Sequence, residues 1–252
     1  LLIRQGNEVV LSALAQNLQA PLKAALGQIE TLFGQSIDFV PADSQRTFRV
    51  AMSDYGAAIV LPKLLVQLRK LAPDTSLVVI QDSRLGMLEQ IEQGKIDLAV
   101  GVFATLPADI SCDVLFEETF TCLLNRRSLP DSGVLDLDSY LARPHLLVSM
   151  DGNTQGEVDN VLRARGLQRR VAVNVPHWGT APGMIAGTDL ILTVATRTLD
   201  NVPLGDTLVA IPPPLTVAPF NYVQVWHQRF NQDPAHRWLR ELVKQVSAPS
   251  TP

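Results

Sequence analysis

Small polar side chains follow two of the predicted strands where a helix is expected to begin. Ser53 and Asp54 come directly after the apolar run 48–52, and Ser83 follows the run 77–80. The free N–H groups of a helix N-terminus, together with a serine hydroxyl, can bind a carboxylate or another oxyanion. Each of these residues could instead cap its own helix. An Asp54 carboxylate that faces the ligand would disfavour an anion beside it.

Further candidate residues stand near the ends of other predicted strands. An aromatic ring at Phe103 or Trp178 could wall a cleft. Phe103 could instead fill the edge of its subdomain, and Trp178 could be a core or interface residue. The polar loop around 149–154 could hydrogen-bond a ligand, or be polar because it is solvated. His177 could pair with an acidic ligand, although a lone histidine is more often a bystander. The candidate ligand-binding residues are Ser53, Asp54, Ser83, Val102, Phe103, Ser149, Asn153, Thr154, His177, Trp178 and Thr193.

The sequence carries no pattern that indicates catalysis or a bound metal. The four histidines show no H-x-x-x-H pairing, and there is no G-x-S-x-G, P-loop or G-x-G-x-x-G motif. Cys112 and Cys122 are ten residues apart, which fits no zinc pattern, and they are expected to be core residues in a reducing cytoplasm. We therefore expect neither enzymatic activity nor a metal or cofactor.

Composition limits the class of protein. The chain has 252 residues, of which 46% are hydrophobic and 18% charged, with a net charge of -4. This length allows one large or two small cored domains, and the charge predicts no broad basic face for nucleic acid or an acidic membrane. No apolar stretch reaches the ~18 residues that span a bilayer. The first residues lack the features of a signal peptide and an initiating Met, so we expect a cytoplasmic protein cut from a longer chain.

The first 45 residues differ from the rest. Leu11, Leu18, Ala25 and Leu32 recur every seven residues, and Ala15, Leu22 and Ile29 lie between them. The pattern predicts a helix of about 23 residues with an apolar stripe. A partner helix would cover this stripe, although a terminal helix packed on its own domain would show the same pattern. Pro21 is expected to kink or split the helix, and residues 1–11 to form two short strands around a Gly-Asn turn. The predicted dimerisation residues are Leu11, Leu18, Leu22 and Ile29.

From residue 46 onward the pattern becomes α/β. Predicted strands are 48–52, 77–80, 96–102, 112–117, 119–125, 145–149, 170–175, 190–194, 207–211 and 222–226; predicted helices are 56–71, 84–93, 154–165, 180–187 and 234–246. Near-continuous apolar strands between helices indicate parallel sheets covered on both faces. We predict two Rossmann-like subdomains, 46–122 plus 226–248 and 123–225, joined by crossover strands near 120–126 and 221–227. A small ligand would bind in the cleft between them.

An ordered set of segments resembles the co-inducer domain of LysR-type transcription regulators. Within residues 47–103 the set comprises Met52-Ser53-Asp54, Leu61-Pro62-Lys63-Leu64-Leu65 and the run from Gly94 to Gly101. The tail from Trp226 to Arg240 is similar to that of the nodulation and naphthalene/salicylate-responsive branch. Residues 1–34 look like the end of the family's winged-helix wing followed by its linker helix.

The resemblance implies a type 2 periplasmic-binding-protein-like fold after a long linker helix, with wing residues at 1–10 and the linker at 11–35. It implies an aromatic or carboxylated inducer in the cleft, faced by Ser83 and the segment 175–178. It also implies a homodimer or homotetramer that binds DNA through an N-terminal helix-turn-helix domain, for which this chain has no room. A solute-binding protein of a transport system shares this architecture, and a constitutive dimerisation module with a filled cleft is a third possibility.

Overall fold

The computed structural model describes residues 1–5, 8–34, 39–130, 132–150, 155–200 and 202–248. The chain divides into two compact units, Leu1–Phe39 and Val40–Pro252. None of the helices in the described ranges is both long enough and apolar enough to cross a membrane.

The first unit is a strand pair followed by one helix. Strands β1 (Leu2–Gln5) and β2 (Glu8–Leu11) are antiparallel, and α1 spans Ala13–Gly34. The Ala15 amide donates to the Ser12 hydroxyl at 3.2 Å, so Ser12 caps the helix. Helix α1 runs through Pro21 without a break, so the helix is not split there. The side chains of Leu11 and Ile29 lie outside the described residues.

The first sheet of the second unit has five strands. They are β3 (Thr47–Met52), β4 (Ser76–Ile80), β5 (Leu98–Gly101), β6 (Ile110–Glu118) and β12 (Phe220–His227), in the order β4-β3-β5-β12-β6. Strand β3 is parallel to β4 and β5, whereas β12 is antiparallel to β5 and β6. The sheet is therefore mixed, and the prediction of a parallel sheet is wrong for two of its four pairings.

Three helices cover this sheet, and the alternation of side chains along β3 assigns them to its faces. They are α2 (Asp54–Leu71), α3 (Arg84–Glu92) and α6 (Pro234–Ser247). Ala51 points to the face where Ile91 of α3 is buried. Phe48 points to the opposite face, where its ring lies 6.2 Å from that of Trp238 in α6. The last helix thus returns to the first subdomain, as predicted.

The second sheet repeats this arrangement. Its strands are β7 (Phe120–Asn125), β8 (Pro144–Val148), β9 (Arg170–Val175), β10 (Ile191–Ala195) and β11 (Leu208–Ile211), in the order β11-β7-β10-β8-β9. Strand β8 is parallel to β9 and β10, and β7 is antiparallel to β10 and β11. Tyr140 of α4 (Leu137–Ala142) and Leu162 of α5 (Glu157–Ala164) are buried against one face, and Ile185 against the other.

The chain changes sheets twice. The first passage is Thr119, between β6 and β7, and the second is the segment 212–219, between β11 and β12. The predicted subdomain boundaries at 122/123 and 225/226 lie a few residues beyond these passages. The difference arises because β12 pairs along its whole length with β6 of the first sheet.

Two helix predictions need correction. The expected helix at 180–187 is only a short 3-10 turn at Ala181–Met184, since Gly183 and Gly187 each disfavour a helix by about 1 kcal/mol. Helix α4 was not predicted, although Asp136 signals its start: the Ser139 amide donates to the Asp136 carboxylate at 2.7 Å.

Candidate ligand cleft between the subdomains

The carboxyl ends of the parallel strands meet at the first passage between the sheets. Thr119 lies in this passage, and its carbonyl accepts a hydrogen bond of 2.9 Å from the Thr196 amide, directly after β10. Strand β3 ends at Met52 and β8 at Val148, so the segments that follow them also lie at carboxyl ends. Ligands of α/β proteins bind at such edges.

Asp54 makes a hydrogen bond from one subdomain to the other. It is the first residue of α2, and its Oδ2 accepts a bond of 3.1 Å from the Gly179 amide of the second subdomain. The other oxygen, Oδ1, is buried and has no hydrogen-bond partner among the described residues. A buried carboxylate oxygen gains free energy when a donor reaches it.

Three aromatic rings form a row that runs from the second subdomain into the first. The Trp178 and Tyr55 rings meet edge to face with centroids 5.9 Å apart. Tyr55 in turn lies 5.2 Å from Tyr222, again edge to face. The Tyr222 hydroxyl donates to the Val100 carbonyl at 3.4 Å, which ties the row to β5. Contacts of this kind add to the free energy of burying the rings.

A buried carboxylate, Glu118, lies next to this row. It accepts a hydrogen bond from the Tyr55 hydroxyl and one of 2.8 Å from the Thr119 amide. Burial, and then the hydrogen bond to Glu118, raise the pKa of Tyr55 far above its usual value. The phenol therefore stays neutral and keeps its proton for Glu118.

The two predicted serines act as helix caps. The Ser53 hydroxyl accepts from the Gly56 amide at 3.4 Å, and the Ser83 hydroxyl accepts from the Gly86 amide at 3.1 Å. Both are N-caps with extended backbone, which is the alternative to ligand contact that the sequence left open. Each hydroxyl hydrogen can still be donated, so ligand contact stays a prediction.

Other predicted residues fall into different surroundings. Phe103 lies two residues after Gly101 and packs, partly buried, against the core on the α3 side of the first sheet. It therefore fills the edge of its own subdomain. Val102, next to it in the chain, is half-buried. The Ser149 amide donates to the Val175 carbonyl at 3.0 Å and extends the β8–β9 pairing to the carboxyl edge. His177 is exposed. Asn153 and Thr154 lie outside the described residues.

The Thr193 side chain makes its polar contacts inside the second subdomain. Its hydroxyl lies 2.9 Å from the Tyr140 hydroxyl and 3.4 Å from Sγ of Cys122. Alternation along β10 directs this side chain toward α4 and α5. Thr196, three residues later, reaches the passage instead: its hydroxyl lies 3.0 Å from that of Thr119 and 2.8 Å from that of Thr121.

Sequence reasoning missed four residues of this region. They are Tyr55, Glu118, Arg197 and Tyr222. Tyr55 directly follows the singled-out pair Ser53-Asp54, so its position was the available signal. Glu118 and Arg197 gave none, because 79 residues separate them (197 − 118) and only the fold brings them within 3.9 Å of each other.

A cavity of about 400 Å³ lies beside the two passages between the sheets. It is lined by Thr119, Phe120 and residues 213–217. None of the predicted ligand-binding residues is among them. We therefore base the candidate site on the contacts of Asp54 and Trp178 between the subdomains.

Comparison with known proteins identifies the family. Residues 41–248 match the model of the LysR substrate binding domain. The HTH-type transcriptional regulator SyrM of Rhizobium meliloti (strain 1021) is 32% identical over 242 residues, which cover 95% of this chain and 73% of SyrM. The HTH-type transcriptional activator NahR of Pseudomonas putida is 28% identical over 229 residues, which cover 91% of this chain and 76% of NahR.

A solved structure agrees with this assignment. The regulatory domain of MexT, a transcriptional activator in Pseudomonas aeruginosa, superposes with a TM-score of 0.73 at 33% identity, covering 81% of this chain and 100% of that domain. The fold is the periplasmic-binding-protein-like arrangement of two α/β subdomains. The chain belongs to the family of LysR-type transcriptional regulators and carries their substrate-binding domain.

Proposed function

We propose that the cleft between the subdomains binds a small effector and that binding changes the angle between them. The observation that carries this proposal is the pair of contacts across the cleft, Asp54 to Gly179 and Tyr55 to Trp178. Both contacts join first-turn residues of α2 to the segment after β9. A ligand that enters here contacts both subdomains, and it shifts their equilibrium by its difference in affinity for the two arrangements.

The lining favours an aromatic effector with a hydrogen-bond donor. Trp178 and Tyr55 offer ring surfaces, and the buried Oδ1 of Asp54 offers an acceptor. A hydroxyl on the ring would meet this oxygen, whereas a carboxylate would be repelled by it. If the effector carries a carboxylate, we place that group toward Ser149 and the exposed imidazole of His177.

A thermal-shift titration with benzoate, 2-hydroxybenzoate and cyclohexanecarboxylate tests the effector class. At about 100 times its Kd a ligand adds about 2.7 kcal/mol to the free energy of unfolding. We expect 2-hydroxybenzoate to give the largest shift and cyclohexanecarboxylate the smallest. Trp178→Ala should abolish the response, while Met184→Ala, an exposed residue of the same subdomain, should retain it.

Two outcomes would count against this proposal. Equal shifts from all three compounds would exclude aromatic selection. A complete lack of response to any tested small molecule would favour a constitutive dimerisation module. The solute-binding protein of a transport system has less support, because the relatives reported above are transcription regulators.

We further propose that the full protein is a cytoplasmic homodimer or homotetramer that binds DNA through an N-terminal helix-turn-helix domain. Support for pairing comes from α1, where Leu18 is 39% and Leu22 is 56% exposed. Covering such side chains stabilises an assembly by ~25 cal/mol per Å² of apolar surface. Leu18→Asp or Leu22→Asp should lower the molar mass in analytical ultracentrifugation, and the exposed neighbour change Gln19→Asp should not. An unchanged mass in the leucine variants would place the main contact elsewhere.

A further inference from the structure

Two contacts, one within the first subdomain and one from the second, converge on one oxygen atom, Oε2 of Glu118. The Tyr55 hydroxyl donates to this atom, and Nε of Arg197, from the second subdomain, lies 3.9 Å from the same atom. Oε1 is occupied by the Thr119 amide at 2.8 Å. The Glu118 side chain is only 2% exposed, so solvent screens these interactions poorly.

Arg197 is held by three groups of the first subdomain. Besides Glu118, its guanidinium carbon lies 3.7 Å from the centroid of the Phe116 ring. Its Nη1 donates to the Ser247 carbonyl at 3.0 Å, at the end of α6. A cation stacked on an aromatic ring and paired with a buried carboxylate resists displacement. A rotation of one subdomain against the other moves the backbone of Arg197 relative to these three groups.

Tyr55 links the same oxygen to the candidate ligand cleft. Its hydroxyl binds Glu118, and its ring meets Trp178 of the second subdomain. A group that pushes Trp178 aside changes the position of the Tyr55 ring and, with it, the hydrogen bond at Oε2. Because Tyr55 and Arg197 contact the same acceptor atom, a change in one contact changes the strength of the other.

We propose that Glu118 couples the ligand cleft to Arg197, and that the contact between Glu118 and Arg197 sets the angle between the two subdomains. Arg197 and Tyr55 are positioning residues in this scheme. The proposal rests on the proposed function, because the ligand acts through Trp178 and Tyr55. The contacts of Arg197 with the first subdomain exist without ligand, so their role can be measured separately.

Distances between spin labels test whether the contacts of Arg197 set the angle between the subdomains in the ligand-free protein. Cys112 is exposed in the first subdomain and Cys122 is buried in the second. A single change, Ala164→Cys, adds an exposed label site at the end of α5. Relative to the labelled parent, Arg197→Ala should widen the distribution of distances and shift it. Arg126→Ala is the matched control, since exposed Arg126 donates to the Asp206 carbonyl within its own subdomain and lies away from the label sites in the sequence.

Coupling through Glu118 is tested by combining variants in the same measurement. Tyr55→Phe alone should shift the distribution, but it should add little once Arg197 is replaced, because both contacts use one oxygen. In a Glu118→Gln background, both effects should shrink together. Circular dichroism shows whether each variant folds. If Arg197→Ala does not fold, Arg197→Gln replaces it, because the amide keeps a polar side chain but removes the charge and the stacked guanidinium.

The outcomes separate the two proposals. A distribution unchanged by Arg197→Ala or Arg197→Gln overturns the role of Arg197, and independent effects of Tyr55→Phe and Arg197→Ala overturn the coupling. Addition of 2-hydroxybenzoate should shift the distribution in the parent and less so in Tyr55→Phe. A failure of this compound and of benzoate to bind the parent counts against the proposed function, while the ligand-free measurements still decide the role of Glu118.

Discussion

The two subdomains share one strand arrangement and stabilise it in different ways. In each sheet one strand, β3 or β8, lies between two parallel neighbours, and one further strand, β12 or β7, is antiparallel to both of its neighbours. The second subdomain buries an ion pair, since the Arg169 side chain is 2% exposed and lies 2.8 Å from Asp159. In the first subdomain the Arg46–Asp233 pair, also 2.8 Å, has side chains that are 31% and 26% exposed. Similar topology therefore does not imply similar dependence on charge.

Each subdomain also buries one histidine completely, and the two differ in their partners. In the first subdomain, Nε2 of His236 donates to the Asp97 carbonyl at 2.8 Å, and Nδ1 accepts from Arg240 at 2.7 Å. In the second, Nε2 of His145 donates to the Tyr140 carbonyl at 2.9 Å. Nδ1 of His145 is buried without a partner in the part of the chain that the structure describes. The two histidines are thus equally buried but differ in how many of their ring nitrogens have a hydrogen-bond partner among the described residues.

The largest expected difference between the subdomains concerns the ion pairs. Asp159→Ala leaves the Arg169 guanidinium buried without its carboxylate, which should lower the free energy of unfolding by about 3–5 kcal/mol. Asp233→Ala removes a partly exposed pair and the N-cap of α6, which should cost only about 1–2 kcal/mol. Urea unfolding followed by circular dichroism measures both. Equal losses would contradict the contrast drawn between the two subdomains.

We expect the loss of stability at acid pH to arise mainly in the second subdomain. Burial, and then the charge of Arg169, lower the pKa of His145 to about 4, against about 6.5 when unfolded. Between pH 6.5 and 4 the His145 imidazole is protonated in the unfolded chain but stays neutral in the folded protein. The free energy of unfolding therefore falls as the pH drops from 6.5 to 4. The expected loss is about 3 kcal/mol.

Substitution of each histidine assigns this acid sensitivity. His145→Gln keeps a donor for the Tyr140 carbonyl and should flatten the dependence of unfolding free energy on pH. Burial also lowers the pKa of His236, so His236→Gln should change the slope in the same direction. A pH dependence that persists unchanged in His145→Gln would show that other groups cause it.

The smallest expected effect compares two glycines near the starts of equivalent helices. A Cβ on Gly56 of α2 would lie too close to the Tyr222 hydroxyl oxygen, and Tyr222 is 2% exposed and cannot move away. Gly56→Ala should therefore lower the unfolding free energy by about 1–3 kcal/mol, and Tyr222→Phe should restore part of it. A Cβ on Gly156, before α5, would meet a Leu147 methyl at 3.4 Å and Oδ2 of Asp159 at 3.7 Å, both ordinary van der Waals distances. Gly156→Ala should cost less, and a larger loss there would reverse the comparison.

The sequence predicted the elements well and their pairing less well. Strands 48–52, 77–80 and 170–175 are found within a residue of the expected ends, because their apolar runs end at polar or turn-forming residues. The antiparallel pairings of β7 and β12 were not predicted, because they depend on contacts far apart in the chain. The same limit applies to the site: Asp54 was predicted from its place after a strand, whereas its hydrogen-bond partner Gly179 lies 125 residues away.

The two passages between the sheets have a mechanical consequence. One is the single residue Thr119, and the other, 212–219, contains four prolines in eight residues. Proline fixes its φ angle, so few backbone torsions are free to absorb a twist. We therefore expect the two subdomains to turn as rigid bodies through small angles, so that an effector in the proposed cleft would select among a few nearby orientations.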